Sequence, residues 1–377
     1  MQPVPPVRSV RPTLSLRPPS PWLTALALAA CTTAGPDEPA PPPFVELRLI
    51  SSAGPILQYQ SDSFALMADD RACIADGDII YILCGSREWR GIRRVGRRGG
   101  GPGELMPIGE LVSVGQDSVA YLDRQNRRVT FIAREGIVGD VAVPTPFSPA
   151  SEMTGDLRLH GYAFPAAAMH REPVLRMLHV DGASGDVVAA ATLALPADAI
   201  GVPGILSGAV VLPGGRRVLR LNTDAAGAAG TRLVVFSEAG AFLYALEAPP
   251  FRQGRPTERD VERYREEYRI VLFGAEPTEA DVEEFRRRPL RLYPRVALYR
   301  GVQEDAAGNL WVLSNRRTDD GTWVEVYRER AYAGSILLRG YVLGIQIRGD
   351  VLVALSEEMD DIAGERWLDW YEVVGRS

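Results

Sequence analysis

The residues of this chain whose types could do chemistry are few: three histidines, three cysteines, one glycine-rich run and several clusters of charge. His160, His170 and His179 show neither His-x-His nor His-x-x-x-His spacing, and none stands at ligand spacing from a cysteine, so no zinc site is announced locally. Beyond Cys31, the remaining cysteines are Cys73 and Cys84. Asp76-Gly77-Asp78 reads as a hairpin turn that would pair Cys73 with about position 81. Cys84 would then lie about 10 Å away, beyond bridging distance. Two reduced, buried thiols are the expectation. Gly99-Gly100-Gly101-Pro102-Gly103 could suggest a phosphate cradle, which needs a following helix N-terminus and usually a lysine. Here Glu104 and Pro107 lead into a strand and the chain has no lysine, so a sharp turn with unusual φ is expected instead.

Arg87, Arg90, Arg93, Arg94, Arg97 and Arg98 form the densest basic stretch. Anionic headgroups or polyanionic glycans would suit it, although such runs are more often solvated faces paired with acids. Asp123, Asn126 and Asn222 fall near strand or loop ends, where groups lining a channel could sit; satisfying the backbone of their own turns is the expected role. Glu357-Glu358-Met359-Asp360-Asp361 lacks the alternate ligand spacing of a calcium loop and reads as solvated surface. No Gly-x-Ser-x-Gly elbow appears. The sequence therefore offers no catalytic residue, metal set or cofactor motif.

These residues are carried by a chain of short strands. From residue 73 onward, turn signals recur every 8–12 residues, the all-β pattern. Turn-strand units begin at Asp76-Gly77-Asp78, Gly115-Gln116-Asp117, Gly155-Asp156, Pro213-Gly214-Gly215, Asp305-Ala306-Ala307-Gly308-Asn309 and Arg348-Gly349-Asp350. Repeats of about 40–45 residues, each with some four strands, mark a β-propeller. The units count to six blades, and the loose register around 140–210 leaves five or seven open. Ring closure calls for the strand Phe44–Leu49 beside the last blade, where Trp367, Trp370 and Tyr371 would pack. Residues 256–289 break the pattern: Pro256-Thr257-Glu258-Arg259-Asp260-Val261-Glu262 is nearly repeated by Pro277-Thr278-Glu279-Ala280-Asp281-Val282-Glu283. Each copy resembles a capping box with acids in the first turn. Val261, Tyr264 and Tyr268, and likewise Val282 and Phe285, fall on one helical face. Two amphipathic helices inserted on one mouth of the disc are expected.

The stretch from Arg97-Arg98-Gly99-Gly100-Gly101-Pro102-Gly103-Glu104-Leu105 to Asp123-Arg124-Gln125-Asn126-Arg127-Arg128 resembles the NHL-like six-bladed propellers, with Leu105 in place of their usual aromatic. The resemblance implies fold and not activity.

The first thirty residues have the layout of a secretory signal: Arg8, Arg11 and Arg17, then an apolar run from Trp22 to Ala30, too short to span a bilayer. Leu28-Ala29-Ala30-Cys31 resembles the lipobox of bacterial lipoproteins, which implies cleavage before Cys31 and acylation of its thiol. Residues 31–43 are a Pro-rich tether, and 44–377 the propeller domain. Without Asp at position 32, the resemblance implies sorting to the outer membrane of a Gram-negative envelope. Losing residues 1–30 moves the formal charge from −6 to −9, which argues against nucleic acid as partner. The expectation is a monomeric, membrane-anchored binding module, not an enzyme, for a protein, peptide or glycan. The alternative is a metal-dependent hydrolase or lyase with its site in the central channel.

Overall fold

The computed structural model describes residues 45–54, 56, 63–68, 70–75, 82–106, 109–114, 117–123, 125–142, 152–153, 159–163, 174–180, 187–194, 206–212, 214–222, 231–247, 256, 258–271, 275–287, 298–318, 320–357 and 365–375. Cys31, the tether, His170, Asp76-Gly77-Asp78, Gly155-Asp156 and the acidic residues after Glu357 lie outside them.

The first strand, β1 (Val45–Ala53), pairs with the last one. Between them, strands pair in sequence order. β2 (Phe64–Met67), β3 (Arg71–Ala75), β4 (Ile82–Ser86) and β5 (Arg93–Val95) form one sheet, and β6 (Glu110–Val114), β7 (Ser118–Asp123), β8 (Arg128–Ala133) and β9 (Gly136–Ala142) the next. β10 (Glu152–Met153), β11 (Leu159–Ala163), β12 (Val174–Val180) and β13 (Val187–Ala194) follow, then β14 (Leu206–Val211), β15 (Arg217–Asn222), β16 (Thr231–Phe236) and β17 (Phe242–Ala245). A helical segment intervenes: α1 (Glu258–Val271), α2 (Glu279–Arg287) and the short α3 (Leu298–Gly301). β18 (Val302–Glu304), β19 (Leu310–Thr318), β20 (Gly321–Arg328) and β21 (Ala331–Arg339) make another sheet. β22 (Tyr341–Arg348), β23 (Val351–Glu357) and β24 (Arg366–Gly375) make the last, which β1 completes in the order β1-β24-β23-β22. Among the described residues there are thus six four-stranded antiparallel sheets. The fold is a β-propeller.

Strands that lie between two neighbouring sheets are apolar on both faces. In β20, Val324 and Val326 join a core with Ile345, Leu352 and Tyr371 of the following sheet. Tyr327 of the same strand faces the preceding sheet, packing with Val218, Leu233 and Val235. The first strands β2, β6, β18 and β22 lie innermost, linked by hydrogen bonds through their side chains. The Leu66 N–H of β2 donates to Ser113 Oγ of β6 and to Gln346 Oε1 of β22, both at 3.0 Å. Gln346 Nε2 donates to the Phe64 carbonyl at 2.7 Å, and the Ile347 N–H to Gln303 Oε1 at 3.4 Å.

The expectation of two reduced thiols is overturned. Cys73 and Cys84 are direct partners in the β3–β4 register and form a disulfide, with Cα atoms 4.1 Å apart. The hairpin closes between Ala75 and Ile82, a longer connection than a tight turn at Asp76-Gly77-Asp78. That extra length carries Cys84 back level with Cys73. Cys73 is fully buried and Cys84 5 % exposed, and Met67 Sδ lies 3.6 Å from Cys73 Sγ.

Candidate ligand face and the turns around it

The inserted helices form where the sequence indicates. The Asp281 N–H donates to Thr278 Oγ1 (3.2 Å) and the Thr278 N–H to Asp281 Oδ2 (2.9 Å), a reciprocal cap at the start of α2. Because Thr278 donates to it, the Asp281 carboxyl is held below its ordinary pKa. Tyr264 of α1 stacks on Phe285 of α2 with ring centroids 4.4 Å apart, and Val261 and Val282 are buried. Arg286 bonds Glu258 at 2.6 Å and Arg265 bonds Glu279 at 3.0 Å, tying one helix to the other.

Among the described residues, Arg317 links this pair to the disc. Arg317, near the end of β19, reaches Asp260 of α1 at 2.7 Å and donates to the Tyr341 hydroxyl at 2.7 Å. Its guanidinium lies 3.8 Å from the Tyr341 ring centroid. Tyr341 begins the inner strand β22, so the helices sit at the mouth where inner strands start. The short α3 occupies the same mouth, touching β14, β18 and β22. Its Arg300 is buried; a Cβ on Gly344 of β22 would lie 3.2 Å from the Arg300 Cβ, a tight contact that glycine avoids.

A second polar cluster lies beside it within the β18–β21 sheet. Glu325 of β20 is fully buried; Arg316 Nε reaches its Oε1 at 3.3 Å, and Ser335 donates to its other oxygen. Arg316 also bonds Ser335 Oγ at 2.5 Å and stacks over Trp323 at 4.3 Å. Burial pushes the Glu325 carboxyl above its ordinary pKa, against the opposing pull of Arg316 and Ser335.

The glycine-rich run is a turn and holds no phosphate cradle. The Gly101 N–H, which a phosphate cradle would need free, donates to Glu104 Oε2 at 2.7 Å, and Gly103 has φ +72°. Asn126 Nδ2 donates to the Gly99 carbonyl at 2.9 Å and to Asp123 Oδ2 at 2.8 Å. Asp123 Oδ2 also accepts from the Met106 N–H at 3.0 Å, and Arg128 donates to the Glu104 carbonyl. Asp123 and Asn126 thus serve their own turn. Asn222 ends β15. Asp305 repeats the device, accepting from the Asn309 N–H (2.9 Å), Asn309 Nδ2 (2.8 Å) and Trp311 Nε1 (3.0 Å).

The basic run is dispersed among partners: Arg87 pairs with Asp70, Arg93 donates to the Arg134 carbonyl at 2.7 Å, and Arg97 meets Glu104 at 3.1 Å. Glu357 departs from the expected solvated loop. It ends β23 directly opposite Arg366, is 3 % exposed and forms an ion pair with that arginine. Among the described residues no three His, Cys, Asp or Glu side chains gather around a metal-sized space, and no helix is long and apolar enough to cross a membrane. The sequence did not point to Arg317, Tyr341 or Arg316; the only signal was a cluster of arginines ending a strand opposite an insertion.

No protein-family model matches this chain, and no curated protein does. Solved structures do match. A Bacteroides fragilis protein provisionally described as exported is 11 % identical, with 88 % of this chain and 95 % of that one covered and a TM-score of 0.48. A member of the DUF4221 family from Bacteroides vulgatus is 10 % identical over 88 % and 99 % of the two chains, TM-score 0.48. The PQQ-bound aldose sugar dehydrogenase of Streptomyces coelicolor is 12 % identical over 89 % and 100 %, TM-score 0.47. At these scores nothing about the present chain is taken from them, and its fold stands on its own strand pairing.

Proposed function

We propose that this protein is an extracytoplasmic, lipid-anchored six-bladed propeller that binds a protein, peptide or glycan on the mouth carrying α1, α2 and α3. The observation that carries the reading is the Arg317 clamp. It holds a charged helical pair, absent from the propeller repeat itself, in a fixed position over the entrance to the disc. Rigid scaffolds that present an inserted segment at one end commonly place their binding residues there. The six four-stranded sheets support the blade count. The Cys73–Cys84 disulfide supports an oxidising compartment, which agrees with export. Cys31 supplies the acyl anchor and residues 31–43 the tether.

Replacing 256–289 by a short Gly-Ser linker should abolish partner capture from envelope extracts while the melting transition of the disc persists; the same partners recovered by both proteins would refute the ligand face. The anchor is tested separately. Radiolabelled palmitate should enter the wild-type chain and not Cys31→Ser, and equal labelling would refute it.

A further inference from the structure

Strand direction fixes the mouth at which the N-terminal segment joins the disc. A Cβ on Gly344 of β22 would lie 3.3 Å from the Phe64 ring, and the Leu66 N–H bonds Gln346, so β2 and β22 run the same way. β24 runs with β22, and β1, antiparallel to β24, runs back towards the helical mouth. Val45, level with Gly375, therefore stands at the opposite mouth, and the chain from Cys31 joins the disc there. β4 runs with β2, so the loop that follows Ser86 lies at this same mouth. The loop is tightly held. The Trp89 N–H donates to the Ser86 carbonyl at 2.8 Å, the Ser86 N–H to the Arg90 carbonyl at 3.2 Å and the Arg90 N–H to Ser86 Oγ at 3.1 Å. Trp89 lies over Gly85, where an added Cβ would meet its ring at 2.9 Å, and shares an apolar cluster with Ile50 of β1 and Trp370 of β24. Beyond this fixed point Arg90, Ile92, Arg93 and Arg94 are exposed, Ile92 by 50 %. Arg87 pairs with Asp70, and Glu88 accepts from Ser86 Oγ at 3.3 Å. Four arginines against these two acids leave the loop basic in a chain of formal charge −6.

We propose that this loop docks on an anionic phospholipid surface, with Ile92 entering the headgroup boundary and Arg90 and Arg93 meeting lipid phosphates. The proposal rests on the lipid anchor proposed above, since acylation of Cys31 brings to the bilayer the mouth at which the loop stands. An exposed aliphatic side chain among arginines combines the two attractions of an interface, apolar burial and charge. Arg93 donates to the Arg134 carbonyl at 2.7 Å, a neutral partner that does not cancel its charge. The chain as a whole is acidic, so other orientations are repelled by the same surface and the basic loop sets the pose. The mouth carrying α1, α2 and α3 then faces away from the bilayer.

The test uses residues 31–377 with Cys31→Ser, which keep every described strand and carry neither the apolar run nor an acyl group. Sedimentation at low salt with vesicles of phosphatidylglycerol and phosphatidylethanolamine should retain this protein, and vesicles of phosphatidylcholine should leave it in solution. Each lost arginine should weaken partitioning roughly fivefold, so Arg90→Ser with Arg93→Ser should lose roughly 25-fold. Ile92→Ser should weaken it by about fivefold again. Arg127, exposed between β7 and β8 at the helical mouth, is the control. Arg127→Asn, which tolerates the φ of +53° there, should change nothing. The comparison of the two vesicles needs no loop or control variant to fold, and circular dichroism verifies those variants. Equal sedimentation with both vesicles, or none with either, would overturn the proposal. So would unchanged partitioning in the loop variants, or an equal loss in Arg127→Asn. Palmitate labelling decides the anchor separately: a labelled wild type whose Cys31→Ser form ignores anionic vesicles refutes the docking loop alone.

Discussion

Glu325 has no exposed surface, and its raised pKa has a definite consequence for stability. The folded protein retains a proton there that the unfolded chain has already released. The stabilisation from that proton is full below the ordinary glutamate pKa and is lost as pH rises through the raised one. Glu325→Gln removes this titration. Thermal melts from pH 4 to 8 should therefore show the wild type losing stability relative to Glu325→Gln as pH rises, and parallel curves would contradict the assignment. The Cys73–Cys84 bridge acts at the same scale. It closes a short loop, with a sequence separation of 11. Cys73→Ala with Cys84→Ala should cost about 3 kcal/mol in urea unfolding, most of it entropy regained by the unfolded chain. Gly321 is a matter of close approach, since an added Cβ would lie 1.9 Å from the Leu338 carbonyl oxygen. Gly321→Ala should destabilise by about 1–3 kcal/mol in the same measurement.

The helical insertion is an element whose internal order and whose attachment have different sources. Its caps and its apolar stripe are local, and so could be read from Thr278, Asp281, Val282 and Phe285. Its attachment depends on Asp260 meeting Arg317, residues 57 positions apart. Arg317→Ala leaves Asp260, 8 % exposed, without that partner, and breaking a largely buried pair costs about 3–5 kcal/mol. That exceeds what a short exposed helix pair can hold by itself. The expected outcome is local release: limited proteolysis should cut within 256–289 in Arg317→Ala while the sheets remain protected. Unchanged protection of the insertion would show that other contacts dock it.

At the scale of the whole molecule, the ring is closed by β1, which pairs with β24 from Val45↔Gly375 to Ala53↔Leu368 and adds the Ser52–Asp369 bond at 2.5 Å. Deleting 45–53 would bare the β24 edge and uncover Trp370 and Tyr371. Light scattering should then find self-association and calorimetry a lower, broader melting transition, whereas a monomeric, fully cooperative deletion variant would refute this view of closure. The sequence by itself determined the all-β class, the turn chemistry of Asp123 and Asn126, the helix pair and the need for an N-terminal closing strand. Each is written in local patterns of period, glycine and cap, because those are set by neighbours along the chain. Only the tertiary structure decided that Cys73 meets Cys84, that Glu357 is buried against Arg366 and that Arg317 clamps the insertion. Those outcomes depend on strand register and loop length, which a slip of one residue would reverse, and no local pattern in the chain fixes either.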